Sequence, residues 1–171
     1  MAAGLCGARQ CRRHRTGAGV SAPPAAACPL CREDGGVLLW RGQGWRVVRA
    51  VGAEVSSAPA WYRVIATDHV AEWSDLDAFQ QAAGMRLVTA VERVLRACLQ
   101  PTKVNLASLG NVVPHLHWHV IARFEWDSRF PAPIWDAERR TGDAQQLAAV
   151  RAALPDCDAA IVAALAPSPL A

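Results

Sequence analysis

The stretch PHLHWHVIARF, residues 114–124, places His115, His117 and His119 at every second position with apolar residues between them. Imidazole is the side chain that changes charge near neutral pH, binds transition metals, and serves as nucleophile or proton carrier. On a β-strand, residues i, i+2 and i+4 share a face, so the three histidines line one side while Leu116, Trp118 and Val120 face a core on the other. Alternate Cα atoms on a strand lie roughly 6.6 Å apart, which separates His115 from His119 by about 13 Å. Zn–N bonds are only about 2.0–2.1 Å long, so one ion gathers two neighbours and not the whole row. Different roles along the row are expected.

A second chemical feature is CPLC, Cys28 to Cys31, two thiols on a tight turn suited to binding one metal or to forming a redox pair. His69, at the end of an apolar run, is the one histidine outside both the row and the first 27 residues. Cys28, Cys31, His69 and His115 then make a Cys₂His₂ set. Four protein ligands close a zinc site, which makes the metal structural. A CxxC turn alone is compatible with an incidental pair; beside the histidine row it points to metal. His117 is left at the centre. A neutral imidazole whose far nitrogen is held by a neighbour can attack the phosphorus of a nucleotide, because the phospho-imidazole is itself readily hydrolysed. The plainer reading is three surface histidines on an exposed sheet face.

These residues need a scaffold. VLLWRG (37–42) and WRVVRAV (45–51), separated by Gly42, Gln43 and Gly44, read as a β-hairpin, and WYRVIAT (61–67) as a third strand. From Ser74 the period becomes helical. Ser74 or Asp75 is the expected N-cap of a helix reaching about Cys98, with Leu87, Val88, Val91, Val94, Leu95 and Cys98 on one face and Pro101 blocking continuation. KVNLASL (103–109) is a fourth strand and the histidine run a fifth, reaching about Glu125. EWDSRFPAPIW (125–135) reads as an extended arm over a surface, and residues 143–165 as two short Ala-rich helices interrupted at Pro155. This order predicts an α+β domain on an antiparallel sheet.

The chain has 171 residues, enough for one domain with a core that needs no disulfides. Apolar runs fall well short of the roughly 18–20 residues of a membrane span, so no membrane role is indicated and a cytoplasmic protein is expected. Of the 18 basic residues, Arg9, Arg12, Arg13 and Arg15 precede Cys28 in an acid-free stretch; without them 14 basic residues face 15 acidic ones. That balance gives no support to a nucleic-acid surface, which needs clustered Lys and Arg. Residues 1–27 are rich in Ala, Gly, Pro and Arg, are expected to be disordered, and also fit a transit peptide.

The run His115-Leu116-His117-Trp118-His119-Val120-Ile121 resembles the signature of the histidine triad (HIT) superfamily, His-φ-His-φ-His-φ-φ with φ apolar. WYRVIATDHV, Asn105 and GNVVPHLHWHVIARF are similar to further parts of that family, and the resemblance spans about residues 28–130. It implies a HIT-like fold, a five-stranded antiparallel sheet with a long helix, over residues 28–135, often paired as a homodimer, followed by a C-terminal helical extension at 136–171. It implies nucleotidyl hydrolysis or transfer at the α-phosphate of a dinucleoside polyphosphate or nucleoside phosphoramidate, with His117 as nucleophile and His119 contacting phosphate or leaving group. Asn105, Asn111 and the backbone near Val112 would line the phosphate pocket. Members with a CxxC turn bind zinc, matching Cys28, Cys31, His69 and His115. This chain departs from the pattern in three places: Trp61 stands where many members have a further histidine, Asn111 replaces the usual Gln, and Val112 stands where a hydroxyl is common. Glu54 is the nearest candidate for an acid that holds the ribose. A nucleotide-binding regulatory protein with little or no turnover is the alternative function. Trp61, Trp126 and Trp135 are candidates to border the base.

Overall fold

The computed structural model describes residues 25–166. The expectation for residues 1–27 therefore lies outside the described residues, apart from a 3-10 turn at Ala25–Ala27. Five strands, β1 (Val37–Gly42), β2 (Trp45–Arg49), β3 (Trp61–Ala66), β4 (Lys103–Ala107) and β5 (His117–Arg123), form one antiparallel sheet in the order β1-β2-β3-β5-β4. The expected α+β class and HIT-like sheet are present. A single helical turn, α1 (Pro29–Arg32), precedes them, and two long helices, α2 (Ala78–Leu99) and α3 (Ala144–Leu165), complete the chain.

The hairpin β1–β2 turns at Gln43 and Gly44, both with positive φ (52° and 78°), the geometry that matches the twist of its two strands. Alternation then sorts side chains between the two faces. Trp45, Val47, Tyr62, Val64, Trp118, Val120 and Val104 face the helices, while Arg46, Val48, Trp61, Arg63, His117, His119 and Ile121 face the other way. Ala83, Leu87, Val88, Val91 and Leu95 of α2 complete the main core. Gly84 lets α2 approach the sheet: a Cβ there would sit 2.5 Å from the Trp45 ring, whose Nε1 donates to the Gln80 carbonyl at 3.1 Å.

Three local expectations are corrected. The N-cap of α2 is Asp77, neither Ser74 nor Asp75. Its side chain accepts from Gln80 N at 2.8 Å and the Gln80 side chain accepts from Asp77 N, a reciprocal capping box, while Trp73–Asp75 forms a separate 3-10 turn. Residues 144–165 are one helix with Pro155 inside it, because burial of Val150 and Leu154 before the proline and Cys157 and Ile161 after it offsets the missing N–H. Asp158 anchors the second half, accepting from Arg49 Nε at 2.9 Å and from the Tyr62 hydroxyl at 2.8 Å. Cys98, assigned to the packed face of α2, is exposed.

The segment after β5 is folded back on itself, where an extended arm is expected. Its organiser is Asp127, 4% exposed, which accepts from Arg123 Nε (2.8 Å) and Nη2 (3.0 Å) and from the backbone N–H groups of Phe124, Arg129 and Phe130. Arg123, 1% exposed, also donates to Asn105 Oδ1 at 2.9 Å and to the Ala132 carbonyl at 3.0 Å. The arm thereby lays Ile134 and Trp135 against Trp61 on the histidine face.

Asp127→Ala strands Arg123 as a buried, unpaired cation, and is expected to destabilise the protein by about 3–5 kcal/mol in urea denaturation. Burial alone would raise the Asp127 carboxyl, but the Arg123 hydrogen bonds and charge, with the backbone donors, hold it below its usual value. Its stabilisation is thus present above the unfolded carboxylate pKa of about 3.9 and disappears as pH falls through the lower folded value. Asp127→Asn should make stability less dependent on pH below about pH 4; an unchanged acid slope would refute the role given to the pair.

Candidate active site and metal centre

Cys28, Cys31, His69 and His115 converge from three separate segments, their ligand atoms all within 4.8 Å of one another. Cys31 Sγ lies 3.2 Å from His69 Nδ1 and 3.4 Å from His115 Nδ1, and Cys28 Sγ lies 3.5 Å from His115 Nδ1. A tetrahedral zinc with bonds of about 2.0–2.3 Å spaces its ligand atoms about 3.3–3.8 Å apart, so the donor set fits that ion in type and spacing. Burial first, and then the adjacent Cys28 thiol, raise the pKa of Cys31. Two thiols pressed together resist ionisation, and a bound cation reverses that preference.

Arg46, a residue whose role is not visible in the sequence, holds this cluster to the sheet. It is 3% exposed, and its guanidinium donates to the carbonyls of Leu30, Asp34 and Ala66, tying the α1 turn to the end of β3. The Ala66 carbonyl also accepts from His115 Nε2 at 2.8 Å. A carbonyl can only accept, so the His115 proton is on Nε2 and the Nδ1 lone pair faces the sulfurs, the orientation metal-binding histidines adopt. Burial lowers the His115 pKa and keeps the ring neutral.

His115 precedes β5 and is not in its regular part: Leu116 N donates to the Val70 carbonyl at 2.7 Å, and the Leu116 carbonyl accepts from Ala66 N at 3.0 Å. The backbone carbonyl of His115 accepts from His117 Nδ1 at 2.7 Å. By the same logic the His117 proton is on Nδ1 and its lone pair on Nε2. His119 stands beside it, ring centroids 4.7 Å apart, 6% exposed, and its Nδ1 accepts from Trp61 Nε1 at 2.8 Å. Burial, helped by the charges of His117 and Arg63, pushes the His119 pKa down to about 3. One imidazole therefore offers a nucleophilic nitrogen while its neighbour offers a neutral N–H.

Of the residues expected to contact phosphate, Asn105 is engaged through Oδ1 by Arg123, two residues along β4 from Ala107, the partner of His119. Asn111 and Val112 lie on an exposed loop, Val112 94% exposed. The Glu54 side chain lies outside the described residues. Trp61 and Trp135 pack beside His119, whereas Trp126 stacks on Phe124 instead, ring centroids 4.7 Å apart. Trp118, expected to face the core, and Trp73 line a cavity of about 400 Å³ together with His117, Leu109 and Gly110. The larger cavity, about 570 Å³, lies between the arm and the start of α3 and is lined by none of the histidines.

An imidazole whose lone pair is on Nε2, a neutral imidazole beside it and a Cys₂His₂ cluster one residue pair away are carried together on an antiparallel α+β sheet. The HIT domain model matches residues 47–126. A histidine triad protein of Bradyrhizobium japonicum is 30% identical, with TM-score 0.56, covering 72% of this chain and 90% of that one. Another, from Marinobacter aquaeolei, is 25% identical with TM-score 0.56, covering 72% and 89%. A zinc-bound histidine triad family protein of Mycobacterium smegmatis shares the fold at 19% identity, TM-score 0.51, covering 80% and 99%. No curated protein matches. The chain belongs to the histidine triad family, and membership implies nucleotide binding with hydrolase or transferase activity. No helix among the described residues is long and apolar enough to cross a membrane.

Cys31→Ser removes one of four ligands, and because the binding energy of a structural metal is folding energy, it should lower both zinc content and melting temperature together. Metal analysis with thermal unfolding checks this; a variant retaining wild-type zinc content would refute the ligand set.

Proposed function

We propose that the protein is a nucleotidyl hydrolase or transferase that cleaves a nucleotide conjugate, a dinucleoside polyphosphate or a nucleoside phosphoramidate, at its α-phosphate through a nucleotidyl-histidine intermediate. The observation that carries this reading is the 2.7 Å hydrogen bond from His117 Nδ1 to the His115 carbonyl, which assigns the lone pair to Nε2. Held this way, His117 attacks the α-phosphorus without first losing a proton, and the carbonyl stabilises the charge that develops on the ring as the P–N bond forms. In this reading His119 Nε2–H donates to the phosphate or to the departing oxygen. Arg63, paired with His119 across β3 and β5, adds a positive charge to the same face.

The cavity bordered by Trp73 and Trp118 suits a flat, partly apolar group such as a base. Zinc, where bound by Cys28, Cys31, His69 and His115, supplies folding energy and has no open coordination position for substrate. Assembly as a homodimer and residence in the cytoplasm belong to the same proposal. So does the division of the chain into a tail at 1–27, a HIT-like domain at 28–135 and an extension at 136–171.

His117→Asn keeps polarity and approximate size while removing the nucleophile. Release of nucleoside monophosphate from an adenosine phosphoramidate and two dinucleoside polyphosphates should fall on the order of 10³-fold or more, with the fold retained. Wild type quenched in alkaline denaturant, where the acid-labile P–N bond persists, should carry the nucleotidyl group on His117. Full activity in the variant would sink the proposal, and tight nucleotide binding without any release would favour the regulatory alternative.

A further inference from the structure

The tautomer of His119 is set by a residue that only donates. An indole nitrogen carries a hydrogen and offers no lone pair, so at 2.8 Å from Trp61 Nε1 the Nδ1 of His119 must be the acceptor, and the single ring proton is on Nε2. To become an imidazolium, His119 would have to set a second N–H against the indole N–H. The pair is largely buried, Trp61 being 3% and His119 6% exposed, so His119 has little solvent to turn Nδ1 toward. The charged and titratable groups facing the ring disfavour a second proton as well: Arg63 from β3 and His117 from β5, with Ala107 opposite on β4 and Trp135 from the arm.

We propose that Trp61 is a positioning residue that keeps His119 a permanently neutral hydrogen-bond donor, restricting turnover to nucleotide conjugates whose leaving group departs as a stabilised oxyanion, such as a polyphosphate. Conjugates whose leaving group must take up a proton to depart, such as an amine, are disfavoured. This rests on the role of His117 proposed above and narrows its substrate class.

The step balances without an added acid. His117 Nε2 gives its lone pair to the α-phosphorus, the bond from phosphorus to the leaving oxygen breaks, and that pair leaves with the oxygen. His119 Nε2–H hydrogen-bonds to the oxygen and keeps its proton. Water then attacks phosphorus, the P–N bond breaks with its pair returning to His117, and the proton of water passes to solvent. An amine leaving from phosphorus would need a proton in the same step. A neutral imidazole N–H is far too weak an acid to give one, and the Trp61 donor prevents the ring from holding a second.

Two measurements on the full-length protein test this. In nitrogen-15 NMR of the imidazoles, wild-type His119 should stay a single neutral tautomer, protonated on Nε2, from about pH 8 to about pH 5. Trp61→Phe keeps a ring but deletes the donor, and should let His119 take up a proton in that range. The second measurement follows turnover of adenosine monophosphate aryl esters of graded phenol acidity, a dinucleoside polyphosphate and an adenosine phosphoramidate. Wild-type rates should fall several-fold for each unit rise in leaving-group pKa. Trp61→His restores a partner able to accept, and should raise phosphoramidate cleavage relative to polyphosphate cleavage by about tenfold or more.

Wild-type His119 that titrates near its ordinary value, or wild type that cleaves the phosphoramidate as readily as the polyphosphate, would overturn the inference. The NMR result stands independently of catalysis. Retained activity in His117→Asn with a neutral, Nε2-protonated His119 would therefore locate the failure in the nucleophile and not in the Trp61 pair. No release from any compound would overturn the leaving-group rule together with the proposed function.

Discussion

Three imidazoles have their protons placed by three partners that can play only one part. The Ala66 carbonyl takes a hydrogen bond from His115 Nε2, the His115 carbonyl takes one from His117 Nδ1, and the Trp61 indole gives one to His119 Nδ1. Since two of these partners only accept and one only donates, the rings have no tautomeric freedom without breaking a bond in a largely buried setting. Backbone carbonyls and one indole therefore set which ring nitrogen carries the proton at each histidine of the row. The strand period supplies the row, and the partners supply the division of labour.

Those partners stay in place because buried charges tie the irregular segments to the sheet. Arg46 fastens the cysteine turn, Arg123 with Asp127 fastens the arm, and Arg49 with Tyr62 fastens α3 through Asp158. An ion pair inside a protein is costly to desolvate and adds little net stability against a well-packed apolar alternative. What it adds is placement, since a guanidinium with several fixed acceptors admits one arrangement of the chain around it. Arg46 and Arg123 sit where an irregular segment, the cysteine turn or the arm, is held against a strand of the sheet.

The elements legible in the sequence are those whose signal is local. The β1–β2 hairpin, β3, α2 and the ligand set Cys28, Cys31, His69 and His115 follow from period, turn residues and donor chemistry. Asp77 was obscured by two earlier capping residues, and only the reciprocal bond with Gln80 decides between them. Pro155 reads as a break because the sequence does not show Asp158 bonded to two strands one turn later. Arg46 and Trp61 look like ordinary strand residues; their roles arise from contacts with Leu30, Ala66 and His119, which are far away in the chain. Asn105 is singled out in the sequence only through the family resemblance, and not as a partner of Arg123, whose burial depends on the folded arm.

The cluster and the proposed nucleophile are not separate devices, because both use His115. Its side chain faces the two sulfurs while its carbonyl holds the His117 proton, and Leu116, next along the backbone, is bonded on both sides to Val70 and Ala66. A rotation of His115 that spoiled the ligand geometry would also shift the carbonyl that orients His117. The order of the four-residue cluster thus reaches the His117 ring through a single peptide unit. In this arrangement the Cys₂His₂ cluster bears on the proposed chemistry without touching substrate, by fixing the direction in which the neighbouring His117 lone pair points.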